Sequence, residues 1–422
     1  MVYNKLPQGW VECELKDIFD TSSGGTPKRG NPAYYGGNIP WLKSGELNNG
    51  IVNEAEEYIT EEGLKNSSAK LFPRGSLLIA LYGATVGKLG VLDFDSTTNQ
   101  AICCIYQNKN YDRDFLFYYL LYKKEYLVNQ GKGGAQPNIS QEIIKALKIP
   151  VPPLNEQKRI VEKIEEEFVK IDEGVEKLKL TQEQFKQYRQ SVLNQQFKIK
   201  HAETLTLNDV TTKINDGTHK TPTYVNVGIP FISVKDIKNK QIYFDDCKFI
   251  TKEEHEVLYK RCNPEKGDVL ITKSGTIGRT AVVDTDIIFD LFVSVALLKP
   301  QREKITSEFL MYTLDNYISH IDVKQDVKGG LIKNLHIEDI KKIKINLPTL
   351  DEQKQIVKEI EKRFEVADEV ERVIAENLEK AEQLKQSILK KAFEGRLVPQ
   401  NPTDEPASEL LARIKAERGK NV

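Results

Sequence analysis

A duplicated, highly charged stretch limits what this chain can fold into. Leu154 to Phe197 opens Leu-Asn-Glu-Gln-Lys-Arg-Ile-Val-Glu-Lys-Ile-Glu, and Leu350 to Phe393 opens Leu-Asp-Glu-Gln-Lys-Gln-Ile-Val-Lys-Glu-Ile-Glu, an ungapped offset of 196 residues. In the first copy Ile164, Phe168, Ile171, Val175, Leu178, Phe185 and Val192 recur in alternating steps of four and three, with Gln182 and Arg189 as polar interruptions. In the second, Ile360, Phe364, Ala367, Ile374, Leu378, Ala381 and Ile388 keep the stripe and Glu371 breaks it. A 3.5-residue repeat marks a coiled-coil seam. Each copy is expected to be one helix, roughly 65 Å long at 1.5 Å per residue. A lone helix with so many charges is not stable through propensity alone, so its stripe needs a partner. The nearest candidate is the other copy.

At 422 residues the chain is too long for one core. Charged residues make up 29%, yet the formal net charge is −1, which argues against a protein that coats nucleic acid by bulk electrostatics. A specific reader with local basic patches remains compatible. The apolar runs are short and interrupted, so no membrane span is expected. The first residues lack the apolar core of a signal peptide. The cysteines (Cys13, Cys103, Cys104, Cys247, Cys262) are odd in number and scattered, which argues against a disulfide scaffold or a zinc site and fits a cytoplasmic location.

Residues 1–150 read as a first α/β (α+β) globule. Its marks are the turn-rich Gly24-Gly25-Thr26-Pro27-Lys28-Arg29-Gly30, the run Ile39-Pro40-Trp41-Leu42 and a buried strand at Leu77 to Ala80. A turn at Gly83 to Lys88 leads to a second strand at Leu89 to Leu92. A helix is expected from about Asp114 to Asn129, and a last strand over Leu147 to Val151. Pro150, Pro152 and Pro153 end that strand, with Asn155 placed to cap the long helix. The first long helix, the central one, occupies residues 151–200. Residues 201–346 run through the same marks with different side chains. Asp216-Gly217-Thr218 echoes Gly24-Gly25-Thr26, Ile229 to Ile232 echoes Ile39 to Leu42, and Thr276-Ile277-Gly278-Arg279 echoes Thr85-Val86-Gly87-Lys88. A distal long helix (347–398) and a polar tail (399–422) follow, the tail with a short helix over Ser408 to Arg418. Globule, rod, globule, rod implies two equivalent units: a shared frame carrying one fold with two surfaces.

Several catalytic patterns fail on inspection. Gly83 to Lys88 misses phosphate-loop spacing by one residue, has Leu89 where a magnesium-holding hydroxyl must stand, and leads into a strand. Asn31-Pro32-Ala33-Tyr34 resembles the Asn-Pro-Pro-Tyr loop of amino-methyltransferases, but the second globule has no equivalent and no Gly-rich cofactor loop accompanies it. The five histidines (His201, His219, His255, His320, His336) are dispersed. Candidate contacts to DNA are instead polar residues on the Gly-rich loops. They are Lys28, Arg29, Lys43, Lys88, Lys132 and Gln136 in the first globule, and His219, Lys220, Lys235, Lys273, Arg279, Lys328 and Lys333 in the second. Arg and Lys can bond guanine edges and Gln adenine edges, while Lys also serves phosphates without reading sequence.

The order of elements, with Pro-Pro-Leu-Asn-Glu-Gln-Lys-Arg-Ile-Val and Pro-Thr-Leu-Asp-Glu-Gln-Lys-Gln-Ile-Val after the globules, resembles the specificity subunit of type I restriction–modification systems. Gly24-Gly25-Thr26-Pro27, Ile39-Pro40-Trp41, Gly83-Ala84-Thr85-Val86-Gly87 and Ala392-Phe393-Glu394-Gly395-Arg396-Leu397 add to the likeness, which spans nearly the whole chain. The resemblance implies two target recognition domains, antiparallel spacer helices with a pseudo-twofold axis, and no catalytic activity. It also implies double-stranded DNA as ligand and two modification (methyltransferase) subunits that bind S-adenosylmethionine. Restriction (nuclease–translocase) subunits that use ATP and magnesium complete the implied assembly. The second globule departs from the pattern with Asp216-Gly217-Thr218-His219 and lacks a Gln before Asn334, so Gln136 has no sure counterpart. A self-sufficient methyltransferase or nuclease, or a coiled-coil scaffold without a DNA role, are the competing readings.

Overall fold

A computed structural model of the protein describes residues 6–131, 138–199, 201–326 and 334–419, the side chains of 321–326 and 419 excepted. The chain forms two compact units, Met1–Lys177 with Asn377–Val422, and Leu178–Glu376. Both long helices run through both units, as Leu154–Gln196 (the central helix) and Leu350–Phe393 (the distal helix).

The first unit holds a five-stranded sheet in the order Thr21–Ser23, Ile102–Ile105, Leu77–Ala80, Leu89–Leu92, Gly50–Val52. A three-stranded sheet follows the order Glu57–Ile59, Tyr35–Leu42, Thr97–Thr98, and Val11–Glu14 pairs with Lys148–Val151. The apolar run Leu77–Ala80 is buried on both faces because two cores flank it. Alternation at period two sends Leu77 and Ile79 to the helices, with Cys103 and Ile105 from the neighbouring strand. Leu78 and Ala80, with Ile102 and Cys104, face Leu42, Val52 and Phe72.

The second unit repeats this plan. Its sheets follow the orders Thr211–Asp216, Val295–Pro300, Val269–Thr272, Thr280–Val282 and Tyr224–Val225, Lys248–Ile250, Ile229–Ile232, Asp290–Leu291, and Glu203–Thr206 pairs with Lys344–Leu347. The registers correspond as well. Ile79 lies opposite Cys103 as Ile271 lies opposite Ala296. Those partners place Ser23 and Asp216 in equivalent positions, since each lies opposite the same neighbour, Cys103 or Ala296. Hence Gly24 corresponds to Gly217, one residue away from the match that the motif Gly-Thr suggests. A Cβ at either glycine would collide with a strand carbonyl, that of Thr98 or Leu291, so this glycine fixes the true register. The units differ at one edge. Gly50–Val52 extends the first sheet in parallel beside Leu89–Leu92, whereas the second unit forms a separate hairpin, Ile237–Lys238 with Gln241–Ile242.

Two local expectations are corrected. The helix expected over Asp114 to Asn129 is two, Arg113–Tyr122 and Lys124–Gln130, with the break at Lys123. There the Lys123 ammonium lies over the rings of Tyr119, Tyr122 and Tyr126 at 5.7, 5.3 and 5.7 Å. Asn155 does not cap the central helix. It is exposed inside the first turn, and the fully buried Gln157 organises the helix start instead. Gln157 Nε2 donates to the Pro152 carbonyl at 2.9 Å, and its Oε1 accepts from the Asp112 amide at 2.8 Å. Gln353 repeats this: Nε2 donates to Pro348 and Lys304 carbonyls at 2.9 and 2.8 Å, and Oε1 accepts from the Thr306 amide at 2.9 Å. The Gln of both motifs is therefore a clamp that ties a long helix to the start of its own domain's main helix. Replacing a buried Gln by Ala strands several backbone groups, each costing about 1–3 kcal/mol. Gln353→Ala should lower the unfolding free energy of the second unit by about 3 kcal/mol. Denaturant unfolding measures this, and a loss below about 1 kcal/mol would contradict the clamp.

The apolar seam positions are all buried or half-buried on both helices. In the first unit Ile164 and Ile388 are buried, and Phe168, Ile171, Val175, Leu378 and Ala381 half-buried. In the second unit Val192, Ile360, Phe364, Ala367 and Ile374 are buried, and Leu178 and Phe185 half-buried. The polar interruption Arg189 is a lock and not a gap. Its guanidinium sits 4.9 Å over the Phe364 ring and bonds Asp368 and Glu371. Gln195 meets Arg363 at 3.4 Å, so the helices are antiparallel there. The first unit has the same lock, with Lys385 5.1 Å over Phe168 and paired to Asp172. Arg189 and Lys385, Phe364 and Phe168, and Asp368 and Asp172 are related by the same 196-residue offset.

The tail forms a helix over Ala407–Gly419 that packs on the first unit through Leu410 and Ile414. Arg418 donates to the Ile18 carbonyl at 2.9 Å and pairs with Asp20.

Candidate nucleic-acid interface

In each unit the chain just after an inner strand of a sheet, Leu77–Ala80 or Val269–Thr272, is bridged to a second described stretch at that end of the sheet. In the first, Tyr82 bridges to Asn138, and the Ile139 amide bonds the Leu81 carbonyl at 2.7 Å. Asn138 thus lies beside the start of the turn Gly83–Thr85, a single helical turn between antiparallel strands. In the second, Ser274 bridges to Asn334 and the Leu335 amide bonds the Lys273 carbonyl at 2.8 Å.

Lys28 stands exposed. Arg29 and Lys43 converge on one carboxylate. Arg29 bonds Glu57 at 2.6 Å and Lys43 reaches it at 3.1 Å and Glu56 at 2.9 Å. The Arg29 hydrogen bond, aided by Lys43, holds the Glu57 carboxyl below its ordinary range against a burial that raises it. Arg29 also lies 4.8 Å over Tyr35 and 4.7 Å over Trp41, whose indole N–H donates to the Gly25 carbonyl at 2.9 Å. An aromatic-backed, carboxylate-held guanidinium keeps one orientation. Lys88 is half-buried in the turn before its strand. Lys132 and Gln136 lie outside the described residues.

In the second unit His219 and Lys273 converge on Asp216. Lys273 Nζ is 3.0 Å and His219 Nε2 is 3.3 Å from its Oδ2. Arg261, from the last turn of the helix Lys252–Arg261, bonds Oδ1 at 2.7 Å. Burial pushes the Asp216 carboxyl up, but Lys273, His219 and Arg261 together outweigh it and hold it below the ordinary range. Sequence reasoning missed Arg261. It lies 45 residues from Asp216 in the chain, and only the fold joins them. Lys220 is exposed, and Lys235 pairs with Asp236 at 3.1 Å and donates to the Asp246 carbonyl. Arg279 bonds the carbonyls of Val234 and Ile237 at 3.4 and 3.2 Å, so it braces the loop Val234–Asp236. Lys328 and Lys333 lie outside the described residues. The Asn31 side chain caps the short turn Pro32–Tyr34 by accepting from the Ala33 amide at 3.2 Å.

A duplicated mixed α/β domain on paired long helices, with unlike side chains at equivalent positions of the two copies, defines a two-domain protein built on one repeated frame. The family model described as the type I restriction modification DNA specificity domain matches twice, over residues 7–188 and 199–380. The chain belongs to that family and is a specificity subunit of a type I restriction–modification system, a non-catalytic family. The EcoBI specificity subunit of Escherichia coli is 29% identical over 76% of this chain and 75% of its own length. The EcoKI specificity subunit of Escherichia coli strain K12 is 24% identical over 99% and 97%. A solved structure titled for complex assembly and conformational transition of the type I R-M system shares the fold with a TM-score of 0.71. It is 22% identical, covering 93% of this chain and 99% of that one. The HsdS subunit from Thermoanaerobacter tengcongensis gives a TM-score of 0.50 at 21% identity, covering 94% and 99%.

Proposed function

We propose that each domain reads one half of a bipartite, asymmetric DNA target in the major groove, and that the paired helices set the gap between the halves. One observation carries this reading: at equivalent positions of one fold the first domain has Ser23 and Leu81 where the second has Asp216 and Lys273. Two copies of a reader with the same frame but unlike tips fit two unlike half-sites. Lys28, Arg29, Lys43, Lys88, Lys132 and Gln136 are the proposed contacts of the first domain. His219, Lys220, Lys235, Lys273, Arg279, Lys328 and Lys333 are those of the second. The helices' outer faces dock two methyltransferase subunits, which bind S-adenosylmethionine and flip an adenine for methylation. Restriction subunits using ATP and magnesium complete the assembly, which works in the cytoplasm. The near-zero net charge fits a reader whose grip on DNA is completed by its partners.

Domain exchange tests the reading. Replacing residues 1–150 by the corresponding domain of a relative should change one half of the methylated motif and leave the other half and the gap as they were. Methylated-base mapping in cells carrying the methyltransferase partners gives the answer. A change in both halves would defeat independent reading.

A further inference from the structure

The cluster on Asp216 is built differently from a loose surface ion pair. The carboxylate is buried, and Lys273, only 12% exposed, faces its Oδ2. That buried pair balances its own charge. Arg261, half exposed, is then oriented by Oδ1 through Nη2 alone, and no other hydrogen bond of its guanidinium occurs among the described residues. His219 projects beside it, 60% exposed. Arg261 is therefore anchored at one nitrogen and half open to solvent, with N–H donors to spare.

The position is equally specific. Asp216 ends its strand where three loops meet. The Val293 amide bonds the Thr218 carbonyl at 3.0 Å, the Lys273 amide bonds the Ser294 carbonyl at 2.8 Å, and Ser274 bridges to Asn334. In the first domain the equivalent Ser23 bonds Gln141 at 3.1 Å, and Leu81 stands where Lys273 does. The cationic cluster is thus a property of one domain and not of the shared frame, as a residue that sets sequence preference must be.

We propose that Arg261, steered by Asp216 and flanked by His219, reads a guanine edge in the half-site of the second domain. A planar fork anchored at one nitrogen has donors left that match the two acceptors of guanine in the major groove, whereas a phosphate contact needs only charge. The inference rests on the DNA-reading function proposed for the two domains.

The test uses the full chain with the methyltransferase subunits of its own system. Methylated-base mapping is combined with competition binding at one fixed salt concentration. Arg261→Lys keeps the charge and removes the fork. One G·C position in one half of the motif should become degenerate, with discrimination there falling roughly 10- to 100-fold. The other half and the gap should stay. Arg261→Gln should move preference at that position toward adenine. His219→Ala, at an exposed side chain, should relax the same or the adjacent position, and it serves if the Arg261 variants do not fold. An unchanged motif with uniformly weaker binding would make Arg261 a phosphate contact and overturn the proposal. So would a second-domain half-site without a G·C pair. If the unsubstituted complex methylates no defined motif, the DNA-reading function itself falls, and this inference with it.

Discussion

Inserting four residues after Val175, with four more after Ala381 on the facing helix, should lengthen the gap in the DNA target and leave both half-sites readable. Val175 and Ala381 are seam positions of the first unit, so a matched insertion lengthens both helices and spares the flanking contacts. Lys385 keeps its place over Phe168, and Arg189 keeps its place over Phe364. Four helical residues add about 6 Å and rotate the downstream helix by roughly 40°. With DNA rising about 3.4 Å per base pair, the required gap should grow by one or two base pairs. Insertion into the central helix alone is harsher. It slides Arg189 away from Phe364 or Phe168 away from Lys385, and it should either change the gap or abolish specific methylation. Methylated-motif mapping reads both variants. An unchanged gap in both would refute the idea that the helices act as a ruler.

Ending the chain at Val398 should cost the first unit about 4–6 kcal/mol and leave the second unit's unfolding where it was. The removed tail carries Leu410 and Ile414, both fully buried, and each such side chain contributes about 1.5–3 kcal/mol. It also carries Asp404, which bonds Arg159 at 2.7 Å with only 5% of its side chain exposed. Arg413 bonds Asn110 at 2.7 Å and Arg418 bonds the Ile18 carbonyl, so the loss also strips hydrogen bonds at the first unit's surface. Against a domain stability of about 5–15 kcal/mol this is a large fraction. Hydrogen exchange resolved by peptide would separate the units. A shift below about 1 kcal/mol in the first unit would mean that the tail is an ornament. Leu410→Ala is the milder version, with an expected loss of about 2–5 kcal/mol.

The tail also shows where sequence reasoning stops. Leu410, Leu411 and Ile414 mark one face of a short helix, but nothing local says which domain they meet. The same holds at the proposed interface. Gly24, Gly217 and the flanking strand patterns are legible, yet the match at Asp216-Gly217-Thr218 is displaced by one residue. Identity of letters aligned the threonines, while the collision with a strand carbonyl aligns the glycines. Asn155 looked like a helix cap by type and place. The buried amide of Gln157 took that role because its partners, Asp112 and Pro152, come together only in three dimensions. Arg189 read as a flaw in the seam for a similar reason: the ring and the carboxylates that accept it belong to the other helix.

By itself the sequence determined the duplication, the two long helices with their apolar stripes, and the strands flanked by Gly and Pro. Those features follow from local periodicity and from backbone preferences that act within a few residues. The tertiary structure alone decided which cations share a carboxylate, which ring receives which guanidinium, and which domain the tail completes. Such contacts join residues far apart in the chain, and their free energy depends on distances that no local pattern encodes.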